Sequence, residues 1–522
     1  MRTVPLYGDF KDLGYYYVYI SMAPTGGKGA NKFSVILDTG SGLTVVPCTG
    51  CIGCGSHMGD VYTGSGNALA CGSECSKARG SCRGSKCSFS ISYSEGSSLS
   101  GHYVKDNVCL GQWDTCGEDD RIPFPFGCAT TMTNLFKTQL ADGIMGVNGN
   151  SRTTIIDALR EHHALKEDVY SICLGLDGGE FVVGGFNSKL SLDQSSPDPM
   201  WVKQVTSDPE FYKVNVDKVH VGGRYYSVGR QATLDSGTTY TFIPSTMHRN
   251  LRTFFDAYCG SGGGTDGKKC LGSRNENVDK DAVRCYTFPY GTNATEVMMT
   301  YPAIEFEFEG RKRVKMLPLQ YFFQTGGGAQ CIGLYADPDF ILGMNFFQYQ
   351  NIIFDKSKST KRIGFVAARC SEKDPYCIAG KCYSNILETV EMLAVMVLLS
   401  VFLIVVILRI LRLQKLLPKR CVACCEWFES SACCKRCCKK ETAYAELGKE
   451  TGSDSAGIEM EEGSEGYTDS APDQDEEGEQ GPDRADGGDQ KGKKGGDTDQ
   501  LKRLAVLPKK KIYRGDILKQ GI

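Results

Sequence analysis

Two aspartates in this chain stand in nearly the same setting: Val35-Ile36-Leu37-Asp38-Thr39-Gly40-Ser41 and, in the other half, Ala232-Thr233-Leu234-Asp235-Ser236-Gly237-Thr238-Thr239. One copy alone is ordinary turn chemistry, an acid followed by small residues that bend the backbone. Two widely separated copies of apolar-Asp-(Thr/Ser)-Gly-(Ser/Thr) point to two similar lobes, each lending one carboxylate to a shared site. Two carboxylates brought close together cannot both ionise readily, so the pair keeps one proton and offers a base and an acid at once. The neighbours suit that task. Gly40 and Gly237 let the backbone approach and offer N–H donors, Thr39 and Ser236 can hydrogen-bond across the lobes, and Ser41 and Thr238 can reach the outer carboxylate oxygens.

The elements that must position these acids read mostly as strands. Tyr15 to Ile20 is aromatic and β-branched, and Phe33 to Leu37 leads into Asp38. Each half also carries a later apolar-apolar-Gly landmark, Ala141-Asp142-Gly143-Ile144-Met145-Gly146 and Phe340-Ile341-Leu342-Gly343, so the order of landmarks repeats and marks an internal duplication. Between Cys48 and Cys87 the composition turns to Cys, Gly and Ser, a stapled insertion. Its start, Cys48-x2-Cys51-x2-Cys54-x2-His57, has spacings that could hold zinc; the further Cys71, Cys75, Cys82 and Cys87 favour disulfides. Residues 88–104 then alternate as a hairpin with a polar, Gly-containing tip, the kind of element that folds over a cleft. Short helices are expected over 153–162 and 245–258, and residues 260–280 form a glycine-rich surface loop in which Gly262-Gly263-Gly264 has no phosphate-cradle context. Asn293-Ala294-Thr295 is a glycosylation sequon. Ile352 to Asp355 and Arg362 to Val366 are closing strands before Cys370.

The chain has 522 residues, 25 of them Cys, and a net charge of -3, which excludes a strong pull toward nucleic acid. Eighteen cysteines lie from Cys48 to Cys382 and seven from Cys421 to Cys438. Between the sets, residues 392–408 hold no charge, Pro or Gly, and the stretch 391–411 is long enough to span a bilayer as a helix. Arg409, Arg412, Lys415, Lys419 and Arg420 follow it, while Glu388 and Glu391 precede it, so the positive-inside rule puts the first part in the lumen or outside and the tail in the cytosol. The first cysteine set then forms disulfides in an oxidising compartment, and the second, beside the membrane, suits palmitoylation. A lumenal domain needs a signal sequence, and Met1 to Gly8 has no apolar core, so the expectation is a start truncated relative to the natural protein. The tail beyond Cys438 is acidic and poor in aromatics and is expected to be disordered; Tyr444-Ala445-Glu446-Leu447 fits a tyrosine-based signal read by sorting adaptors.

The paired Asp motifs, the two apolar-apolar-Gly landmarks, the hairpin carrying Tyr93 and the ending through Cys370 resemble pepsin-type aspartic proteases over roughly residues 5–370. Pro47 to Met58 and Tyr93-Ser94-Glu95-Gly96-Ser97 are similar to the plasmepsin V branch of that family, which is membrane-anchored and has a nepenthesin-like cysteine insertion. Two departures stand out. That branch has Cys where this chain has Ser94, and pepsin has a flap-steadying Trp where this chain has Val45; the branch lacks that Trp too. The resemblance implies a mainly β, bilobal pepsin-like fold: an N-terminal lobe 1–200 with insertion 48–87 and flap 88–104, a C-terminal lobe 201–370, a stem 371–390, a transmembrane helix 391–411 and a cytosolic segment 412–522. It implies an endopeptidase with Asp38 and Asp235 as catalytic residues, Tyr93, Glu95 and Gly96 on the flap, protein or peptide substrates, and no metal or other cofactor. If the likeness extends to specificity, secretory proteins are cut near an Arg-x-Leu type motif. The alternatives are an inactive pepsin-fold binding module, which usually loses an Asp or its Gly-Ser/Thr context, and a receptor signalling through the acidic tail.

Overall fold

The computed structural model describes residues 1–23, 30–64, 67–93, 96–149, 154–260, 270–357, 361–374, 377–378, 381–382 and 396–407. Met1–Ser384 falls in one compact unit and residues 396–407 in a second. The first unit is built mainly from strands, as the sequence predicts, arranged in sheets of fourteen, seven, four and two strands among the described residues.

The duplication is visible in the hydrogen-bonding order. In the first half, strand Asn31–Asp38 runs parallel to Gly143–Gly146, with Asp38 opposite Gly146, and that short strand pairs antiparallel with Thr44–Ile52. In the second half, Arg224–Leu234 runs parallel to Ile341–Leu342, which pairs antiparallel with Thr241–Ile243. Each apolar-apolar-Gly landmark is therefore a central strand, wedged between the strand that precedes the Asp turn and the strand that follows it. Burial on both faces explains the composition: Val35, Ile36, Leu37, Ile144 and Met145 are all buried, as are Leu234, Phe242, Ile341 and Leu342.

Both ends of the unit meet in one antiparallel ladder, in the order Met200–Lys203, Arg362–Ala367, Gln350–Asp355, Val169–Leu174, Gly179–Val183 and Arg2–Asp9. Late strands thus pair with early ones, and Cys173–Cys370, with Cα atoms 5.2 Å apart, ties the same ladder covalently. In the chain-entropy picture a link closing so long a loop destabilises the unfolded chain by about 5 kcal/mol.

The helices follow the apolar spacing. Ser245–Cys259 buries Met247, Leu251, Phe254, Phe255 and Cys259 on one face, and Gly260 at φ +71° ends it in a conformation that favours glycine. Ile155–Glu161 starts at Thr154, whose side chain accepts from the Asp157 N–H. One expectation is corrected: the loop over 260–280 is not structureless throughout, because Ser273–Arg274 pairs with Cys285–Thr287 at the edge of the four-stranded sheet. Residues 261–269, including Gly262-Gly263-Gly264, lie outside the described residues.

In the insertion, Cys48–Cys128 anchors its start to strand Ile122–Met132, and Cys51–Cys54, Cys71–Cys82 and Cys75–Cys87 staple the rest. All three sulfurs of the Cys48, Cys51, Cys54 run are thus in disulfides, and the neighbouring His57 Nδ1 lies 3.0 Å from the Gln139 carbonyl oxygen instead of facing a ligand set. Among the described residues no helix is long and apolar enough to cross a membrane. Of the expected span 391–411, residues 396–407 are helical with exposed apolar side chains such as Leu398, Phe402 and Leu403. Residues 391–395 and 408–411 lie outside the described residues, as do Cys421 to Cys438 and Tyr444 to Leu447.

Candidate active site

Asp38 is the last residue of its strand, and Asp235 directly follows the strand ending at Leu234. At both points the chain must leave the sheet, and small residues make the turn. The Gly40 N–H donates to Asp38 Oδ1 at 2.7 Å, and the Ser41 hydroxyl donates to Asp38 Oδ2. In the other half the Gly237 N–H donates to Asp235 Oδ1 at 2.9 Å and the Thr238 hydroxyl to Asp235 Oδ2 at 2.8 Å.

The two turns are locked together by Thr39 and Ser236. The Thr39 N–H donates to Ser236 Oγ at 3.1 Å while the Ser236 N–H donates to Thr39 Oγ1 at 2.9 Å. Each hydroxyl then passes its own proton on, Thr39 to the Leu234 carbonyl at 2.9 Å and Ser236 to the Leu37 carbonyl at 2.7 Å. Both side chains are buried, so each of these donors and acceptors would be costly to leave unpaired.

Each glycine faces the opposite acid. A Cβ added to Gly40 would sit 2.5 Å from Asp235 Oδ2, and one added to Gly237 would fall on Asp38 Oδ1. Only glycine leaves room for the two carboxylates to meet, and meet they do: their side chains are within hydrogen-bonding reach of one another. Asp38 is 5% exposed and Asp235 2% exposed. Burial first, and then the charge of Asp235, push the Asp38 carboxyl well above the usual carboxylate range, outweighing the downward pull of Ser41 and Gly40. The arrangement is a buried pair of acidic side chains, a geometry in which a proton belongs to the pair rather than to either residue.

Further residues brace the loops. Asn148 and Asn345, each two places beyond its landmark glycine, are buried and donate their backbone N–H groups to the Ser41 and Thr239 carbonyls, at 2.9 and 3.2 Å. The Asn345 side chain also accepts from Thr241 Oγ1 at 2.7 Å and donates to the Gly333 carbonyl at 2.9 Å. These two asparagines were missed by sequence reasoning, although the repeated Gly-x-Asn spacing was there to be read. Asp142, part of the first landmark, accepts from both the N–H and the hydroxyl of Ser34 and from the Gly59 N–H.

Tyr93 lies just past strand Lys86–Ser92 of the hairpin, which returns as Ser98–Leu110. Its N–H donates to the Ser97 carbonyl at 2.8 Å, and its own carbonyl accepts from Gly96, a residue at φ +94°. Glu95 and Ser94 lie outside the described residues. Val45, where the pepsin pattern has Trp, is fully buried, and Gly127 lies between it and Phe89 of the hairpin. Tyr93 instead packs on Phe136, ring centroids 5.1 Å apart, a contact no local pattern announces. Asn293 is exposed and caps helix Ala294–Met298 by accepting from the Thr295 N–H.

The profile of the family described as eukaryotic aspartyl protease matches residues 16–368. The chain belongs to that family. It is 28% identical to Aspartic protease 5 of Toxoplasma gondii over 70% of this chain and 37% of that protein, so the match spans little more than a third of that relative. It is 24% identical to Plasmepsin V of Plasmodium falciparum over 70% of this chain and 73% of that protein. Rhizopuspepsin-4 of Rhizopus niveus matches at 26% identity over 56% of this chain and 67% of that protein. These relatives place the chain near plasmepsin V within the pepsin-type proteases, an aspartic-type endopeptidase by class.

Proposed function

We propose that this protein is a membrane-anchored endopeptidase that hydrolyses peptide bonds of secretory-pathway proteins with a water activated between Asp38 and Asp235. The observation that carries the reading is the buried carboxylate pair, each acid in its own Gly N–H and hydroxyl cradle and both locked by the Thr39–Ser236 exchange. The ionised member of the pair draws a proton from the water as it attacks the scissile carbonyl carbon. The protonated member donates a hydrogen bond to the carbonyl oxygen, and the pair then delivers a proton to the leaving nitrogen. Tyr93, on the hairpin, belongs to the flap that limits bulk water over the substrate. An inactive binding module on this fold is disfavoured, because both motifs keep their Asp, Gly and hydroxyl residues.

The anchoring half of the proposal rests on the uncharged stretch 392–408 with basic residues after it, and on the exposed apolar side chains of helix 396–407. A type I orientation puts the protease unit in the lumen or outside, where the eight disulfides among the described residues and glycosylation at Asn293 are at home, and leaves Tyr444–Leu447 to sorting adaptors in the cytosol. Cleavage of a peptide library by the full-length protein from about pH 4 to about pH 7.5 tests the function. Turnover that a statine inhibitor abolishes supports it, and the absence of cleavage across the range counts against it. In sealed membrane vesicles, protease added outside should remove the tail and spare the disulfide-linked unit.

A further inference from the structure

We propose that Thr133, Asn134 and Phe136 form a latch that positions the Tyr93 end of the flap hairpin, an inference that rests on the protease reading above. Every residue from 133 to 136 touches the hairpin. Thr133 gives its N–H to the Ser98 carbonyl at 3.0 Å and accepts from the Ser98 N–H at 2.7 Å, with the two hydroxyls 2.9 Å apart. Asn134 Nδ2 donates to the Gly96 carbonyl at 2.6 Å, and the Leu135 N–H donates to Ser97 Oγ at 3.1 Å. Phe136 closes the set by packing on Tyr93 at 57° between ring planes, with both rings buried. Where the pepsin pattern uses a Trp to steady the flap tyrosine, this chain uses a different residue from a different segment.

The backbone of Asn134 points the same way. It stands at φ +49°, ψ −117°, a conformation that costs energy for any residue with a side chain and that glycine adopts freely. Strain at an exposed residue persists only where its surroundings over-determine it, and here the strained backbone is what aims the amide at Gly96. The latch is also backed from behind. Gly53 inside the Cys51–Cys54 loop and Gly55 just after it pack on Lys137, His57 Nδ1 lies 3.0 Å from the Gln139 carbonyl oxygen, and the Met58 N–H donates to the Leu140 carbonyl at 2.9 Å. The Leu140 and Ala141 N–H groups in turn donate to the Tyr15 hydroxyl at 3.0 and 3.2 Å, and Gly14, next to Tyr15, accepts from Thr239 of the second Asp loop at 2.9 Å. The cysteine insertion thus buttresses the latch, and a run of contacts continues from the hairpin to the Asp235 loop.

A hairpin that is not held must be ordered when substrate binds, and that cost appears in KM more than in kcat. The test uses the full-length protein with Asn134→Gly, Phe136→Ala and Phe136→Tyr, read by Tm, peptide kinetics and amide hydrogen exchange. Asn134→Gly relieves the backbone while deleting the amide, so a purely structural residue would give an equal or higher Tm and unchanged kinetics. The latch gives an equal or higher Tm with KM raised about fivefold, kcat little changed, and faster exchange at Gly96, Ser97 and Ser98. Phe136→Ala should raise KM about tenfold, and Phe136→Tyr, which keeps the ring, should return it to near the wild-type value. Wild-type KM and exchange in Asn134→Gly, or a Phe136→Tyr variant as impaired as Phe136→Ala, overturns the proposal. A wild type that cleaves nothing would defeat the protease reading, while exchange at residues 96–98 would still decide for or against the latch.

Discussion

At Asp38 and at Asp235 the chain builds one carboxylate cradle twice: the glycine two places on gives its N–H to one oxygen, and the hydroxyl three places on reaches the other. Around the cradles the halves part company. The first carries the disulfide-stapled insertion, the hairpin with Tyr93 and its Phe136 contact. The second carries the long helix Ser245–Cys259 and a sheet whose outer strands hold a charge cluster around Glu307. The difference separates two kinds of constraint. Holding two acids close enough to share a proton demands the same atoms on both sides, so the cradles match. In the proposed mechanism one hairpin covers the substrate from one side, so the surroundings of the two acids have no reason to match.

The largest effect is expected at the acids. Asp38→Asn and Asp235→Asn should each lower kcat by about a thousandfold or more with the fold retained, because either change removes half of an acid–base pair that acts as a unit. Turnover with circular dichroism on the same samples checks this. If one variant kept substantial activity, the cradles would not be equal partners. Next come Thr39→Val and Ser236→Ala, each expected to cost about 1–3 kcal/mol in denaturant unfolding because buried partners lose their hydrogen bonds. The double variant should cost less than the sum, since both residues belong to one network.

Ser41→Ala and Thr238→Val should each lower kcat/KM about tenfold. The Ser41 hydroxyl favours the ionised form of Asp38, so its loss drives that carboxyl further up and moves the pH–rate profile toward higher pH. The smallest effect lies away from both cradles. Burial pushes the Glu307 carboxyl up, but hydrogen bonds from Lys218, His220 and Arg313 outweigh it and hold the group at about 2, against an ordinary 4.5. A depressed folded value stabilises above the unfolded one and is lost as pH falls toward the folded one. The stability gap between wild type and Glu307→Gln should therefore be full above pH 4.5 and close as pH falls toward 2, with kcat/KM untouched, as unfolding curves across that range would show.

Much of the site was legible because its chemistry leaves short, dense signatures. An acid needing a nearby N–H and hydroxyl, beside a partner carboxylate, has to be followed by Thr or Ser, Gly, and Ser or Thr, and both motifs say so. The central strands were legible as apolar-apolar-Gly for the same reason, since burial on both faces excludes polar residues. What escaped depends on the tertiary fold. Phe136 meets Tyr93 only because the hairpin folds onto residues 133–136, and nothing in either local pattern links them. The Ser273–Arg274 strand hid in a polar run because an edge strand of two residues needs no apolar face. Asn148 and Asn345 were readable in principle, yet a buried asparagine bracing a turn looks like any loop residue until its partners are known.

One proton shared by two buried carboxylates that activate water shows itself in kcat/KM of the wild type against pH, taken from about pH 2.5 to about pH 8. A bell is expected: an acid limb where the pair becomes doubly protonated and loses its base, and an alkaline limb where it loses its last proton. A profile with one limb, or activity that persists undiminished into the range where both carboxyls must be ionised, would contradict it.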